Sequence, residues 1–168
     1  NKKRDEYLKE ALKSVCNQKL KPSWIAVIDN AGSTKTKKIV KKIISKKQKY
    51  FYKQIIKINN VATLRNIAAK TISADYIAFL DDDDYLDKNY LYNVNKDLKK
   101  IKYDMIITNI KRVDGKIKSK FTFFKDGTFF MIKDFLNKNP GTLCSNLIVK
   151  KKTFISLGGF DKNVSGSC

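Results

Sequence analysis

Apolar positions along the chain fall into short blocks whose spacing switches between helical and extended. In RDEYLKEALKSVCNQ, residues 4–18, Tyr7, Leu8, Ala11, Leu12 and Val15 recur every three or four positions, which predicts a helix. Asp5 and Glu6 fall in its first turn, where the helix dipole favours them. After Pro22, WIAVID (24–29) reads as a strand and NAGST (30–34) as a turn. Residues 35–47 form a basic amphipathic helix with Ile39, Val40, Ile43 and Ile44 inward, and QIIKI (54–58) is the second strand. A helix over 61–72 leads to YIAFL (76–80), apolar throughout like a strand buried on both faces. A helix over 88–101, N-capped by Asp87, leads to a fourth strand, 104–110. Beyond it the rhythm is less regular. Residues 116–124 and 127–132 are β-like, 133–139 a short helix, 145–151 a strand, and 152–161 a short helix ending on Gly158-Gly159. Strand–helix alternation from 4 to 110 predicts βα units on a mainly parallel sheet. The expected fold is α/β, with a small antiparallel part toward the C-terminus.

Composition narrows the chemistry. At 168 residues and 42% hydrophobic the chain suits one domain. It carries a formal charge of +20 and no histidine, which excludes histidine metal sites, histidine general bases and Ser-His-Asp triads. A basic balance points to an anionic partner, or to lysine spread by composition alone. Cys16, Cys144 and Cys168 are odd in number, far apart and without C-x-x-C spacing. They support neither a disulfide framework nor a zinc site and fit a reducing cytoplasm. No apolar run is long enough to span a bilayer, and no signal-peptide pattern is present.

The unusual feature is YIAFLDDDDYLD, which sets Asp81, Asp82, Asp83 and Asp84 directly after an apolar strand. Ligands of open α/β sheets bind beyond the carboxyl ends of the strands. WIAVID ends there in Asp29-Asn30 and QIIKI in Asn59-Asn60. The four aspartates are expected to face Asp29, and the crowded charge calls for a cation. Carboxylates two apart on extended backbone, Asp81 and Asp83, project to one side and suit Mg2+ or Mn2+ shared with substrate phosphate. Asp84 and Asp87 fit a solvated, helix-capping role. The EF-hand spacing is absent.

Taken in order, RDEYLKEALKSVCNQKLKPSWIAVIDNAGST, LRNIAAKTISADYIAFLDDDDYL and SNLIVKKKTFISLGGFD resemble the inverting family-2 glycosyltransferases of the Rossmann-like GT-A fold. The likeness covers nearly the whole chain. Its specific parts are the Arg-Asn followed by D-x-D and the closing Gly-Gly-Phe-Asp. The resemblance implies a nucleotide-diphospho-sugar donor, most simply a UDP-sugar, bound at the strand ends. It implies that Asp29 and Asn30 meet base and ribose, Asn30 standing where the family often has a second aspartate. It implies Arg65 beside the pyrophosphate, Asp82 toward ribose or sugar, and Asp81 and Asp83 on the metal. Asp161 is structural, and the catalytic base is expected C-terminal to Cys168. The single domain 1–168 is expected to be truncated at both ends, with a nucleotide-sugar half (1–110) and an acceptor half (111–168).

The resemblance also implies a glycan or lipid-linked acceptor and is compatible with surface polysaccharide synthesis, while the composition points to a bacterial source. KTKKIVKKIISKKQKYFYK, 35–53, has many lysines and no acid. It fits either a solvated helix face or peripheral contact with the inner face of the membrane. No nucleic-acid-binding motif is recognisable. Two alternatives stand beside the transferase: a basic nucleic-acid-binding or nucleotidyl-transfer protein using the aspartates for metal, and a non-catalytic remnant of the fold.

Overall fold

The computed structural model describes residues 2–30, 34–58, 60–114, 117–121, 127–128, 130–131, 133–134 and 141–163. In chain order the elements are α1 (Lys2–Cys16), β1 (Ile25–Asp29), α2 (Thr34–Ile43), β2 (Tyr50–Gln54), α3 (Val61–Thr71), β3 (Tyr76–Ala78) and α4 (Tyr90–Lys100). Then come β4 (Met105–Ile107), β5 (Ile110–Asp114), β6 (Ile117–Phe121), a 3-10 turn (Cys144–Asn146), β7 (Leu147–Lys150) and α5 (Lys151–Ser156).

Two apolar centres organise them. Leu12 of α1, Ile25 of β1 and Ile39, Val40 and Ile44 in and just after α2 form one, with Tyr50 and Tyr52 packed against it. Ala69, Ile77, Phe79, Cys144, Leu147, Val149 and Phe154 form the other, joining α3, β3, β7 and α5. The inward face expected for α2 is the face observed, Ile43 being half-buried. None of the described helices is long and apolar enough to cross a membrane.

β1 and β2 pair in parallel, Ile25 opposite Tyr50 through Asp29 opposite Gln54. β2 therefore begins four residues before the expected QIIKI. Aromatic side chains at Tyr50 and Tyr52 fill the space over the first core, whereas Ile56 is 64% exposed. Past Gln54 the ladder is prolonged by the Ile55 N–H, which donates to the Asp29 carbonyl at 2.9 Å.

β7 lies between β3 and β4 and is antiparallel to both, so β3 and β4 run in the same direction. A strand from the last third of the chain thus completes a sheet begun by the first two-thirds. β3 is shorter than the expected 76–80, because its pairing with β7 stops at Ala78, which is exposed while Ile77 and Phe79 are buried. The strand expected over 104–110 divides. Met105–Ile107 joins β7, and Ile110–Asp114 forms an antiparallel hairpin with β6. The expected α/β architecture holds, with parallel β1–β2, flanking helices and antiparallel pairing later in the chain.

α4 begins at Tyr90 with Asn89 at its N-cap position, not Asp87. The Asp87 carboxylate instead accepts the Asn89 N–H at 2.9 Å, two residues before the N-cap position. Of the β-like stretch 127–132, residues 127, 128, 130 and 131 lie in no strand. Residues 31–33 of the expected turn, Asn59, 122–124, 135–139 and Cys168 lie outside the described residues.

Candidate functional site

Asp29 closes β1, is buried, and accepts a hydrogen bond from the Tyr52 hydroxyl at 2.7 Å. The parallel register that sets β1 beside β2 places Val27 opposite Tyr52, two residues from Asp29 and on the same face of the strand. Burial, then the hydrogen bond and charge of Asp29, push the Tyr52 phenol up to about 12. Asn30 follows and is exposed.

α3 packs against β1 and carries Arg65 toward the acidic run. Its N-cap Asn60 accepts the Thr63 N–H at 2.8 Å, which fixes where the helix starts and hence which way Arg65 faces. Arg65 Nη2 meets Asp81 Oδ1 at 2.6 Å, and its guanidinium lies 5.8 Å from the Phe160 ring centroid. The Asp81 N–H donates to Ser145 Oγ at 3.0 Å, pinning the start of the run to the turn before β7.

The second aspartate has a partner from the other end of the chain. Arg4, in the first turn of α1, donates from Nε to Asp82 Oδ2 at 2.8 Å and from Nη2 to Oδ1 at 3.2 Å. The rest of the acidic loop is tied along α1. Leu86 N–H donates to Ser14 Oγ, and buried Gln18 donates to the Asp87 carbonyl at 2.7 Å while accepting the Leu91 N–H at 3.0 Å. Arg4 and Ser14 of α1, with Gln18 just beyond its end, thus hold the loop from Asp82 to Leu91.

The crowded charge expected from the sequence is met here by two guanidinium groups. Among the described residues no group of three or more carboxylate or thiolate side chains could hold a metal between them. The remaining donors nonetheless suit a hard cation that keeps few protein ligands. Asp83 is exposed and forms no hydrogen bond or ion pair with a described residue, and the ion pair of Asp81 uses one of its two oxygens.

The closing motif is joined to the same helix. Asn66, beside Arg65 and buried, donates to the Phe160 carbonyl at 2.9 Å and accepts the Phe160 N–H at 2.9 Å. Asn60 Nδ2 donates to the Lys162 carbonyl at 2.8 Å. Phe160 packs with Phe79 and Phe154, ring centroids 5.1 and 5.2 Å away. Asp161 is exposed and accepts the Asn163 N–H at 2.8 Å.

Sequence reasoning named Asp29, Asn30, Arg65, Asp81, Asp82 and Asp83, and the structure brings Arg65 and Asp81 into contact. It missed Arg4, Tyr52, Ser145 and the pairing of Asn66 with Phe160. For Arg4 a signal existed: of 36 basic residues only Arg4, Arg65 and Arg112 are arginine, and two of these sit on the aspartates.

Residues 1–157 match the family model described as Glycosyl transferase family 2. An uncharacterised glycosyltransferase of Methanocaldococcus jannaschii is 30% identical over 165 residues, covering 88% of this chain and 53% of the relative. One of Mycoplasma pneumoniae is 27% identical over 146 residues, covering 84% and 48%. The chain thus spans about half the length of the curated relatives it matches. Residues 1–349 of S. aureus TarS superpose with a TM-score of 0.80 at 21% identity, over 97% of this chain and 49% of that one. The same fragment in complex with UDP-GlcNAc gives 0.74 at 21% identity, over 92% and 44%. At these identities the likeness establishes the fold, the GT-A architecture.

Proposed function

The chain belongs to glycosyl transferase family 2, and from that premise we propose that it forms the donor-binding part of a glycosyltransferase. In this reading a nucleotide-diphospho-sugar, a UDP-sugar, binds beyond the ends of β1 and β3 and gives its sugar to a glycan or lipid-linked acceptor. The observation that carries the reading is the contact between Arg65 and Asp81, which sets a guanidinium fork and a row of carboxylates side by side at one strand end. A cationic fork suits a diphosphate, and carboxylates suit hydroxyls and a hard cation. Structures of S. aureus TarS in complex with UDP and with UDP-GlcNAc support a uridine nucleotide.

We assign roles accordingly. Asp29, stiffened by Tyr52, and Asn30 accept and donate to base and ribose. Asp82 turns toward ribose or sugar. Arg65, half-buried over Phe160, holds the diphosphate in one orientation at small entropic cost, because its guanidinium is already placed. Asp83, with the second oxygen of Asp81, would hold Mg2+ or Mn2+, whose charge would stabilise the departing nucleoside diphosphate. The acceptor hydroxyl attacks the anomeric carbon as the bond to the diphosphate breaks, a single displacement that inverts that carbon. The base that takes the acceptor's proton is not assigned to a described side chain. Synthesis of bacterial surface polysaccharide is the setting we propose, with the lysine face of α2 available for peripheral membrane contact.

Calorimetric titration with UDP, GDP and UDP-sugars, with and without Mn2+, tests this. We expect UDP binding that Mn2+ strengthens, and loss of the metal-dependent part in Asp83→Ala. Equal binding by Asp83→Ala, or no binding of any nucleotide, contradicts the reading.

A further inference from the structure

The two arginines on the acidic run are held differently. The Arg65 side chain is 15% exposed and rests over Phe160, whereas Arg4 is 74% exposed and touches the run through its fork alone. Exposed ion pairs of this kind are weak, cost side-chain entropy and are screened by salt. Yet Arg4 occupies both oxygens of Asp82, the carboxylate assigned above to ribose or sugar. An approaching donor therefore meets an arginine that is easily displaced and, once displaced, is a free planar cation beside a diphosphate. The two arginines also balance the run: against four carboxylates they leave two negative charges, the complement of one divalent cation.

We propose that Arg4 is an exchangeable counter-ion. It clasps Asp82 while the donor site is empty, then moves to the donor's diphosphate and releases Asp82. Arg4 thereby selects for the phosphate charge of the donor. In the empty site the same guanidinium opposes a divalent cation by Coulomb repulsion, so its removal has opposite effects on the two ligands. A clasp that only tied the loop to α1 would affect both ligands in the same direction. The inference rests on the donor-site reading and refines it. Because Arg4 is exposed at the helix start, Arg4→Gln should fold. Arg4→Lys, which keeps the charge without the fork, serves as the second variant.

The test is calorimetry on the whole chain and both variants, with Mn2+ alone and then with UDP and uridine at saturating Mn2+. For Arg4→Gln we expect Mn2+ alone to bind severalfold tighter, UDP about tenfold weaker, and uridine as in the unaltered chain. Arg4→Lys should fall between the two for UDP. If Arg4→Gln weakens all three ligands together, or leaves UDP unchanged, the exchange is wrong while the donor site stands. If the unaltered chain itself binds no UDP, the donor-site reading falls and takes the exchange with it.

Discussion

Asp29 and Tyr52 show how a single contact sets the character of the site. A buried carboxylate is tolerated because a phenol donates to it at 2.7 Å. The cost appears on the phenol, pushed up to about 12 by burial and by Asp29. The sign is that of an acid held protonated: the folded value lies above the ordinary 10.0. The stability it contributes is complete below pH 10 and is lost as pH rises from there through about 12. Absorbance titration of the tyrosines should show a late ionisation near pH 12 that Tyr52→Phe removes. The same substitution should lower stability by about 1–2 kcal/mol, read by urea unfolding, because Asp29 loses a donor. An unchanged titration would mean that the hydrogen bond does not persist in solution. Asp29 was legible in the sequence as the polar end of an apolar strand. Tyr50 and Tyr52 were legible too, as core aromatics where the next strand should begin, but the bond from Tyr52 to Asp29 was not, since only the β1–β2 register brings the two together.

At the scale of elements, α3 is the connecting piece. Within one turn it offers Arg65 to Asp81 and Asn66 to Phe160, so two motifs that stand 94 residues apart in sequence are hydrogen-bonded neighbours. Gly158 and Gly159 both have positive φ, +88° and +83°, but only Gly159 is crowded: an added Cβ would lie 2.3 Å from Asn66 Oδ1. Gly158→Ala should therefore cost about 1 kcal/mol of backbone strain. Gly159→Ala should cost clearly more and weaken nucleotide binding by disturbing the ring under Arg65. Denaturant midpoints of the two variants check this, and equal losses would refute it. The sequence made the helices and most strands readable, because α1, α2, α3 and α4 each keep their apolar positions on one face. It did not fix the bounds of β2, because Ile55, Ile56 and Ile58 form a second apolar run beside the true one and periodicity cannot choose between neighbours. Nor could it show that β7 inserts between β3 and β4, since pairing order is decided by tertiary packing and not by local pattern.

For the molecule as a whole, the two expected halves, 1–110 and 111–168, share one sheet, because β7 is its central strand. The acidic loop is likewise held from several directions: by Arg4 and Ser14 of α1 and Gln18 just after it, by Arg65 of α3, and by Ser145 before β7. A chain of charge +20 attracts any anion weakly, so nucleotide binding alone would not identify the site. The most direct measurement is anomalous diffraction at the manganese edge from crystals of the chain holding Mn2+ and UDP. We expect one manganese peak at the Asp83 carboxylate, with the diphosphate beside it and Arg65 on its oxygens. A diphosphate bound elsewhere, or ordered UDP with no manganese at Asp83, would contradict it.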